Sequence, residues 1–304
     1  MGSPVLIIIG MHRSGTSLTA SLLQSAGLDI GSNLVGPHES NIRGHFENVD
    51  FLELHRKFLR SQGIQEDGWT LQENIEVEPL YLKEAKKIII KNDSGKPWGW
   101  KDPRTTLFLD FWNNLLPQAN FLMVYRSPWD VMDSLYRRNT DIFIQRQPDL
   151  AAKIWLHYNK RIINFYNQFP ERCLLVNIET MVNHCQEWLK GINEKFKLNL
   201  AFPSSDIYDA SLMENQEIDA YRPSLVNHYF PQGVELYKEL ETKSWQPNNG
   251  QPHLEWEEEI TSTPYRLWVF EDWGKVRYLE KQNRILQAEL EQCKLQLSQM
   301  QAKQ

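Results

Sequence analysis

The chain has 304 residues, of which 41% are hydrophobic and 24% charged, a composition typical of a soluble globular protein with a large core. The formal net charge of −6 does not favour a nucleic acid partner, so any anion site needs a local basic cluster. Cys173, Cys185 and Cys293 lack C-x-x-C spacing, which excludes a disulfide framework or a zinc site and favours a reducing, cytoplasmic location. The apolar run Pro4–Met11 is too short to span a membrane and lacks the features of a signal peptide.

The first predicted elements are a strand and a helix joined by a glycine-rich loop. Val5–Ile9 is the continuous apolar run of a strand buried on both faces, and Ser17–Ala26 has helical spacing. Between them, Gly10–Ser17 reads GMHRSGTS, with the glycine spacing of a Walker A loop, G-x-x-x-x-G-K-[ST]. Thr16 stands where that motif has its lysine. We therefore expect a phosphate cradle without the residue that reaches the β- and γ-phosphates of a nucleotide.

Strands and helices alternate through the middle of the chain. Further strands are predicted at Trp98–Asp102, Asn120–Tyr125 and Cys173–Ile178. The predicted helices begin near Glu47 and Val77, or lie at Pro103–Leu115, Pro128–Arg138, Leu150–Phe169 and Thr180–Phe196. This alternation predicts an α/β fold, with a central parallel sheet that carries helices on both faces.

The pattern weakens after about Asn199 and changes again near the end of the chain. Leucines and other seam residues repeat every seven positions from Leu279 to Met300, with Asn283 at one seam position. This repeat predicts either a coiled coil that makes a homo-oligomer or an amphipathic helix packed on the core. The predicted organisation is a catalytic domain over residues 1–245, a linker over 246–275 and a coiled-coil helix over 276–304.

The loop Gly10–Ser17 carries the groups that an anion site needs. Gly10 allows a tight turn, and Gly15 lets the backbone approach a ligand closely. Arg13 presents a planar fork of donors that suits a phosphate-type group. Thr16 and Ser17 add hydroxyls and backbone N–H groups at a helix N-terminus.

A P-loop kinase or a nucleoside triphosphatase fits this loop less well. Such enzymes need the Walker A lysine and an Asp that holds Mg²⁺ after an apolar strand. Asp102 ends a predicted strand, but it lies between Lys101 and Pro103, which indicates an ion-paired Asp rather than a metal ligand.

A second group of anion-binding residues follows the strand Asn120–Tyr125. The strand delivers Arg126 at its carboxyl end, where ligands bind in open α/β sheets. Ser134 and Arg138 lie four residues apart on the next predicted helix and share one face. Arg126, Ser134 and Arg138 can thus surround one tetrahedral anion.

Three blocks, RSGTS, WKDPRTT and RSPWDVMDS, stand in an order that resembles the sulfotransferases that use 3′-phosphoadenosine 5′-phosphosulfate (PAPS). The WKDPRTT block looks like the corresponding segment of tyrosylprotein sulfotransferases and related bacterial enzymes, and the resemblance covers Val5 to Phe196. It implies a three-layer, P-loop-like fold, PAPS as co-substrate, no required metal and no γ-phosphate for a lysine to reach. By this resemblance the 5′-phosphosulfate is held by Arg13, Ser14, Gly15, Thr16 and Ser17. The 3′-phosphate is held by Arg126, Ser134 and Arg138.

The resemblance also suggests catalytic residues. Arg13 and Lys101 are expected to stabilise the leaving phosphate, although Lys101 could instead pair with Asp102. Glu47 is the favoured general base for an acceptor hydroxyl, and it is expected to open a helix. The alternatives are His38, Glu39 and His45.

Some features leave substrate recognition open. Ile178 falls where the tyrosylprotein branch has a Tyr that contacts adenine, and Arg104 faces the same sheet edge and could bind donor or acceptor. The 11 tryptophans, together with the resemblance, suggest a saccharide or saccharide-linked acceptor. The alternatives from other classes are an atypical P-loop kinase and a non-enzymatic nucleotide-binding scaffold with an oligomerising tail.

Overall fold

The computed structural model describes residues 3–36, 44–138, 144, 146–202, 221–247, 250–252, 254–262, 272, 276, 278–279 and 281–294. The chain forms two compact units. The larger contains Met1–Ile218 and Val226–Leu254, and the smaller contains Asp219–Leu225 and Glu255–Gln304. The predicted domain boundaries at residues 245 and 275 stay predictions.

The larger unit is built on a parallel sheet, as predicted. Its strands are β1 (Val5–Ile9), β2 (Trp98–Lys101), β3 (Asn120–Tyr125) and β4 (Cys173–Asn177). They lie in the order β2-β1-β3-β4, and every neighbouring pair is parallel. Nearly all of their residues are buried, which explains the uninterrupted apolar runs in the sequence.

Helices cover both faces of this sheet. The described α-helices are Thr16–Ser25, Val49–Ser61, Tyr81–Asn92, Leu109–Leu115, Pro128–Arg138, Leu150–Gln168, Ile178–Asn183, Cys185–Phe196, Tyr221–Tyr229, Pro231–Lys243 and Trp256–Ser262. On one face, Leu6 and Ile8 of β1 join a core cluster that includes Trp188. On the other, Phe51 stacks on Trp100 with ring centroids 4.0 Å apart. The α/β class with helices on both sides is therefore confirmed.

Several elements differ from the prediction in ways that affect the site. Pro103–Phe108 is a 3₁₀ helix, and the α-helix begins only at Leu109. Glu47 does not open a helix, because Asn48 is the N-cap of Val49–Ser61 and its side chain accepts the Asp50 N–H. The predicted helix Thr180–Phe196 consists of two helices, which meet at His184.

The part of the chain after Asn199 contains helices that the sequence did not predict. Tyr221–Tyr229 and Pro231–Lys243 were missed, and Trp256–Ser262 interrupts a segment expected to be irregular. Pro231–Lys243 packs on the helix Leu150–Gln168 and on β4, and its Val234, Leu236, Tyr237 and Leu240 are buried. It therefore completes the fold around the end of β4.

The predicted coiled-coil segment is helical over residues 281–294. Its seam residues Leu279, Leu286 and Leu290 are 62%, 61% and 54% exposed. The seam residues Leu297 and Met300 lie outside the described residues. Among the helices that are described, none is both long and apolar enough to cross a membrane.

The strand order fixes where a ligand can bind. The chain runs from β1 to β2 on one side and then returns past β1 to β3 on the other, so the strand order reverses between β1 and β3. In open parallel sheets, ligands bind outside the carboxyl ends of the strands at such a switch point. The loop after β1 and the residues after β3 both lie at this edge.

Candidate functional site

The loop after β1 has a backbone that only glycine allows at two positions. A Cβ on Gly10 would lie 2.3 Å from the Val124 carbonyl oxygen of β3. Gly15 has a φ of +89°, and a Cβ there would lie 2.4 Å from Cγ1 of Ile178. Arg13 also has a positive φ, 69°, which is uncommon for a residue with a side chain and is typical of constrained functional loops. The loop is thus pressed tightly against the sheet edge.

The helix that follows the loop presents donors to this edge. Thr16–Ser25 begins after Gly15 with no side-chain cap, so its first N–H groups can bind an anion. Ser14 is fully buried, and its Oγ has no hydrogen-bond partner among the described residues. Ser17 instead donates its hydroxyl to the His45 carbonyl oxygen at 3.1 Å.

Arg13 and Ser134 connect the two predicted anion-binding groups. Arg13 Nε donates to Ser134 Oγ at 2.9 Å, although the residues are 121 positions apart in sequence. Ser134 lies on the helix after β3, so the contact crosses the switch point between β1 and β3. The side chain of Arg138 lies outside the described residues, and its role stays a prediction.

Arg126 occupies the first position after β3, as predicted. Its Nε is 3.7 Å from Asp130 Oδ2, a charge contact too long for a hydrogen bond. Asp130 accepts the Ser127 hydroxyl instead. Burial and the neighbouring Asp130 raise the pKa of Glu179 to about 7, and Arg126 opposes this shift. Arg126 therefore stands beside two carboxyl groups.

Glu47 and Lys101 form a buried ion pair at the same edge. Lys101 Nζ lies 3.0 Å from Glu47 Oε1, and these side chains are 1% and 10% exposed. Arg104 Nη1 approaches Glu47 Oε2 at 3.8 Å. Lys101 thus pairs with Glu47, not with Asp102 as the alternative prediction had it. Asp102 pairs with Arg104, whose Nη1 lies 3.0 Å from Asp102 Oδ1.

Asp102 connects this pair to the core. His55 Nδ1 lies 2.8 Å from Asp102 Oδ2, and both side chains are fully buried. The Trp112 indole donates to His55 Nε2 at 2.9 Å, which leaves the His55 proton on Nδ1 facing Asp102. Arg104 and this histidine hold the pKa of Asp102 well below its usual range. Asp102 is therefore an ion-paired residue, as the sequence indicated.

The remaining predictions have mixed outcomes. His38 and Glu39 lie outside the described residues, while the backbone of His45 contacts Ser17. Ile178 is fully buried against Gly15 within the core, so its side chain is not presented to a ligand. Among the described residues, no cluster of three or more His, Cys, Asp or Glu side chains could hold a metal ion.

Three residues at this edge had no role in the sequence analysis. His12 precedes Arg13 in the loop, His55 supports Asp102, and the Trp69 ring is tilted against that of His12 with ring centroids 4.7 Å apart. His12 lies inside the loop motif, and only its position there could have suggested a role. His55 lies in the helix predicted to begin near Glu47, but its spacing there indicated no partner, and Trp69 comes from a segment without a recognisable pattern.

The chain is similar to one protein family and to several solved structures. A model of the sulfotransferase family matches residues 4–202. No curated protein matches the chain. Among solved structures, the sulfotransferase domain from the curacin biosynthetic pathway is 14% identical over 81% of this chain and 99% of that one, with a TM-score of 0.47. The sulfotransferase domain from the Synechococcus PCC 7002 olefin synthase is 18% identical over 86% and 95%, with a TM-score of 0.44. Sulfotransferase STF9 from Mycobacterium avium is 14% identical over 82% and 79%, with a TM-score of 0.47.

Proposed function

As the chain belongs to the sulfotransferase family, we propose that it transfers the sulfuryl group of PAPS to the hydroxyl of an acceptor. The observation that carries this proposal is the 2.9 Å hydrogen bond between Arg13 and Ser134. A donor with a 5′-phosphosulfate and a 3′-phosphate needs two anion sites one nucleoside apart. The bond joins residues of those two predicted sites across the switch point.

Two polar atoms support the fit of this donor. Ser14 Oγ and Arg126 Nε are buried and have no hydrogen-bond partner among the described residues. A buried polar group without a partner costs roughly 1–3 kcal/mol, so such atoms call for an explanation. One belongs to the proposed 5′ site and the other to the proposed 3′ site. Phosphate oxygens would satisfy both, with Gly15, Thr16 and Ser17 adding donors at the helix start.

PAPS supplies an activated sulfuryl group on a phosphate leaving group. In the transfer, the acceptor oxygen forms a bond to sulfur while the bond between sulfur and the bridging phosphate oxygen breaks. Negative charge accumulates on that bridging oxygen, and fixed cations at this position stabilise the transition state. Arg13 and Lys101 are the residues proposed for this role.

Glu47 is proposed as the base that takes the proton of the acceptor hydroxyl. A positioned general base contributes roughly 10²–10⁴-fold to a rate. The support is its placement, since Glu47 Oε1 lies 3.0 Å from Lys101 Nζ, so the carboxylate and a cation for the leaving group share one edge. His45 remains the alternative base.

The acceptor is proposed to be a saccharide or a saccharide-linked metabolite. The number of tryptophans supports this less than expected, because Trp98, Trp100, Trp112, Trp155 and Trp188 are fully buried in the core. Trp69 is different, since it is partly exposed and its ring contacts that of His12, a residue of the loop Gly10–Ser17, which we call the donor loop. An indole face at this place suits a sugar ring.

We also propose self-association through the C-terminal helix and a cytoplasmic setting. The exposed seam residues Leu279, Leu286 and Leu290 support the first. The second is supported by the three cysteines, which are all free thiols.

Isothermal titration calorimetry with 3′-phosphoadenosine 5′-phosphate (PAP) tests the donor assignment. Wild-type protein should bind PAP, and 5′-AMP, which lacks the 3′-phosphate, should bind more weakly. Arg126→Ala should weaken PAP binding by about ten- to hundredfold, the effect of losing a charge-assisted hydrogen bond. Arg137→Ala is the matched control, because Arg137 lies on the neighbouring helix and pairs with Asp133 at 2.9 Å.

Titrations with ATP and 5′-AMP, together with an assay of PAP release from PAPS, distinguish the other candidate functions. Preference for ATP with Mg²⁺ over PAP would favour the atypical kinase. PAP binding without any release of PAP from PAPS in the presence of acceptors would favour the nucleotide-binding scaffold. Equal affinity for PAP and 5′-AMP would contradict the second anion site.

A further inference from the structure

His12, within the proposed donor loop, and Trp69 form a pair of aromatic side chains. His12 immediately precedes Arg13, and its ring centroid lies 4.7 Å from that of Trp69 at an interplanar angle of 47°. Tyr158 lies edge-on to the imidazole, with ring centroids 6.4 Å apart. The pair therefore lies at the carboxyl edge of the sheet, next to the group that the donor loop would hold.

The segment that carries Trp69 is fixed in place. The Tyr158 hydroxyl donates to the Gly68 carbonyl oxygen at 2.9 Å, and Arg104 Nε donates to the Glu66 carbonyl oxygen at 2.6 Å. A Cβ on Gly68 would lie 2.8 Å from that hydroxyl, and the φ of Gly68 is +78°, so this close approach requires glycine. Arg104, which also approaches Glu47, thus connects the Trp69 segment to the proposed base.

His12 lies near the charges of Arg104, Glu47 and Asp102 and is uncharged near neutral pH. Burial and the charge of Arg104 lower the pKa of His12 to about 3, and the charges of Glu47 and Asp102 oppose this shift only in part. A neutral imidazole presents one donor and one acceptor nitrogen. It therefore cannot neutralise an anion at physiological pH, but it can exchange hydrogen bonds with a hydroxyl.

Both rings carry a polar atom that the described protein does not satisfy. His12 Nε2 and Trp69 Nε1 are buried and lack a hydrogen-bond partner among the described residues, although both side chains are partly exposed. The two phosphates of the donor account for Ser14 and Arg126, whereas neutral ring nitrogens suit uncharged groups such as hydroxyls. A second ligand beside the donor can supply such groups.

We infer that His12 and Trp69 form the acceptor subsite and bind a neutral ring that carries several hydroxyls, next to Glu47. Trp69 offers an aromatic face for the apolar side of such a ring and an N–H for one of its oxygens. His12 binds a second hydroxyl and directs it toward the Glu47 side of the loop. This inference rests on the proposed function, since it takes the sulfuryl donor to lie in the loop that begins at Gly10.

The test uses full-length protein saturated with PAP and labelled at the tryptophan indole nitrogens. Each indole gives one ¹H–¹⁵N signal, and the Trp69 signal is identified by its loss in Trp69→Phe. Methyl β-glucopyranoside at up to about 100 mM, which saturates a site with a millimolar Kd, should shift this signal. The Trp98 signal is the internal control, because this indole also lacks a partner but lies in the core against Phe51. It should not move.

Substitution of His12 separates hydrogen bonding from packing. His12→Phe keeps a ring against Trp69 and should weaken glucoside binding about five- to tenfold, the loss expected for one hydrogen bond. His12→Asn keeps a hydrogen-bonding group and should retain more affinity than His12→Phe. His184→Phe, an exposed histidine between two helices, should bind like wild type. All three variants should keep a cooperative urea unfolding transition, which shows that they fold.

The outcomes separate the inference from the proposed function. If PAP binds but the glucoside leaves the Trp69 signal unchanged, the acceptor subsite is wrong and the donor assignment still holds. The same holds if His12→Phe binds the glucoside as wild type does, or if cyclohexanol, a ring with one hydroxyl, binds as well as the glucoside. Failure of wild-type protein to bind PAP contradicts both proposals.

Discussion

Lys101 Nζ and Glu47 Oε1 are 3.0 Å apart, and both side chains are almost completely buried. The two residues come from different segments: Lys101 ends β2, and Glu47 immediately precedes the N-cap of the helix Val49–Ser61. The pair therefore joins the sheet edge to the segment that follows the donor loop. It also places in direct contact a carboxylate and an ammonium group for which we propose opposite roles in sulfuryl transfer.

Lys101→Met should destabilise the protein strongly. The substitution leaves the Glu47 carboxylate buried with Arg104 at 3.8 Å as its remaining cation. Breaking a buried ion pair from one side costs about 3–5 kcal/mol, because the other charge stays without its partner. Urea unfolding followed by circular dichroism measures this loss.

The double variant Lys101→Met with Glu47→Leu is the control for that prediction. It replaces both charges by apolar groups, and we expect much of the stability to return, since such replacements are often neutral. Enzymatic activity should not return with it. A single Lys101→Met that unfolds like wild type would show that the ion pair contributes nothing to stability.

Glu47→Gln should separate catalysis from binding. Glutamine has the same shape and can still accept a hydrogen bond from Lys101, but it cannot take a proton from the acceptor. PAP release from PAPS, in the presence of a panel of glycosides and simple alcohols, should fall about 10²–10⁴-fold. The Kd for PAP should change little. His45→Gln is the matched control, and an activity loss in His45→Gln instead of Glu47→Gln would move the base to His45.

The sequence predicted the sheet more accurately than the site. Apolar runs specify strands that are buried on both faces, so β1 and β3 were predicted with their observed bounds. The pairing of Lys101 was harder to predict, because Lys101 ends β2 whereas Asp102 caps the following 3₁₀ helix, and the two side chains have different partners. No local pattern could have shown that Asp102 meets His55, 47 residues away in the chain.

The missed helix Pro231–Lys243 illustrates the same limit. Its buried residues are interrupted by polar ones, and the apolar spacing alone is weak. It nevertheless delivers Glu241, which accepts hydrogen bonds from Tyr125 of β3 at 3.1 Å and from Asn177 of β4 at 2.6 Å. Tertiary contacts of this kind stabilise a helix that its own sequence barely indicates.

Gly15→Ala should disrupt the donor loop. The added Cβ would lie 2.4 Å from Cγ1 and 2.6 Å from Cδ1 of Ile178, at a φ of +89°. The positive φ and the overlap together should cost about 2–4 kcal/mol in free energy of unfolding, and PAP binding should weaken. Equilibrium unfolding and calorimetry measure the two effects.

Gly63→Ala is the control for the backbone contribution. Gly63 has a φ of +67° but nothing within 4 Å of its added Cβ, so this substitution should cost only about 1 kcal/mol. Ile178→Ala, which removes the nearest atoms, should couple favourably with Gly15→Ala in a double-mutant cycle. Equal costs at positions 15 and 63 would rule out the contact with Ile178 as the cause.

Glu179 should make both stability and donor binding depend on pH. Burial first, and then Asp130, raise the pKa of Glu179 from 4.5 to about 7. The folded protein therefore keeps a proton on Glu179 that the unfolded chain releases above pH 4.5. The stability that this proton confers is fully present below that pH and is lost as the pH rises to about 7. Glu179→Gln should remove this part of the pH dependence of unfolding.

The same proton should affect PAP, since Arg126 stands next to Glu179. Loss of the proton places a second negative charge near the proposed 3′-phosphate site. The affinity for PAP should therefore fall as the pH rises through 7 in wild type, and less so in Glu179→Gln. Glu187→Gln, an exposed acid that lies 4.0 Å from His184, is the control. An identical pH profile in wild type and Glu179→Gln would contradict this coupling.

The C-terminal helix should determine the oligomeric state. Leu279, Leu286 and Leu290 lie on the heptad seam and are exposed, and apolar seams of this kind drive helices to associate. Leu286→Lys places a charge in the middle of the seam and should shift the protein toward the monomer in light scattering after size exclusion. Ala288→Lys, on the polar face of the same helix, should leave the mass unchanged.

Asn283→Leu should allow more than one oligomeric state, because a polar seam residue selects one register at a cost in stability. A monomeric wild-type protein at all concentrations would contradict self-association and leave the packing of the helix on its own chain as the explanation of the repeat.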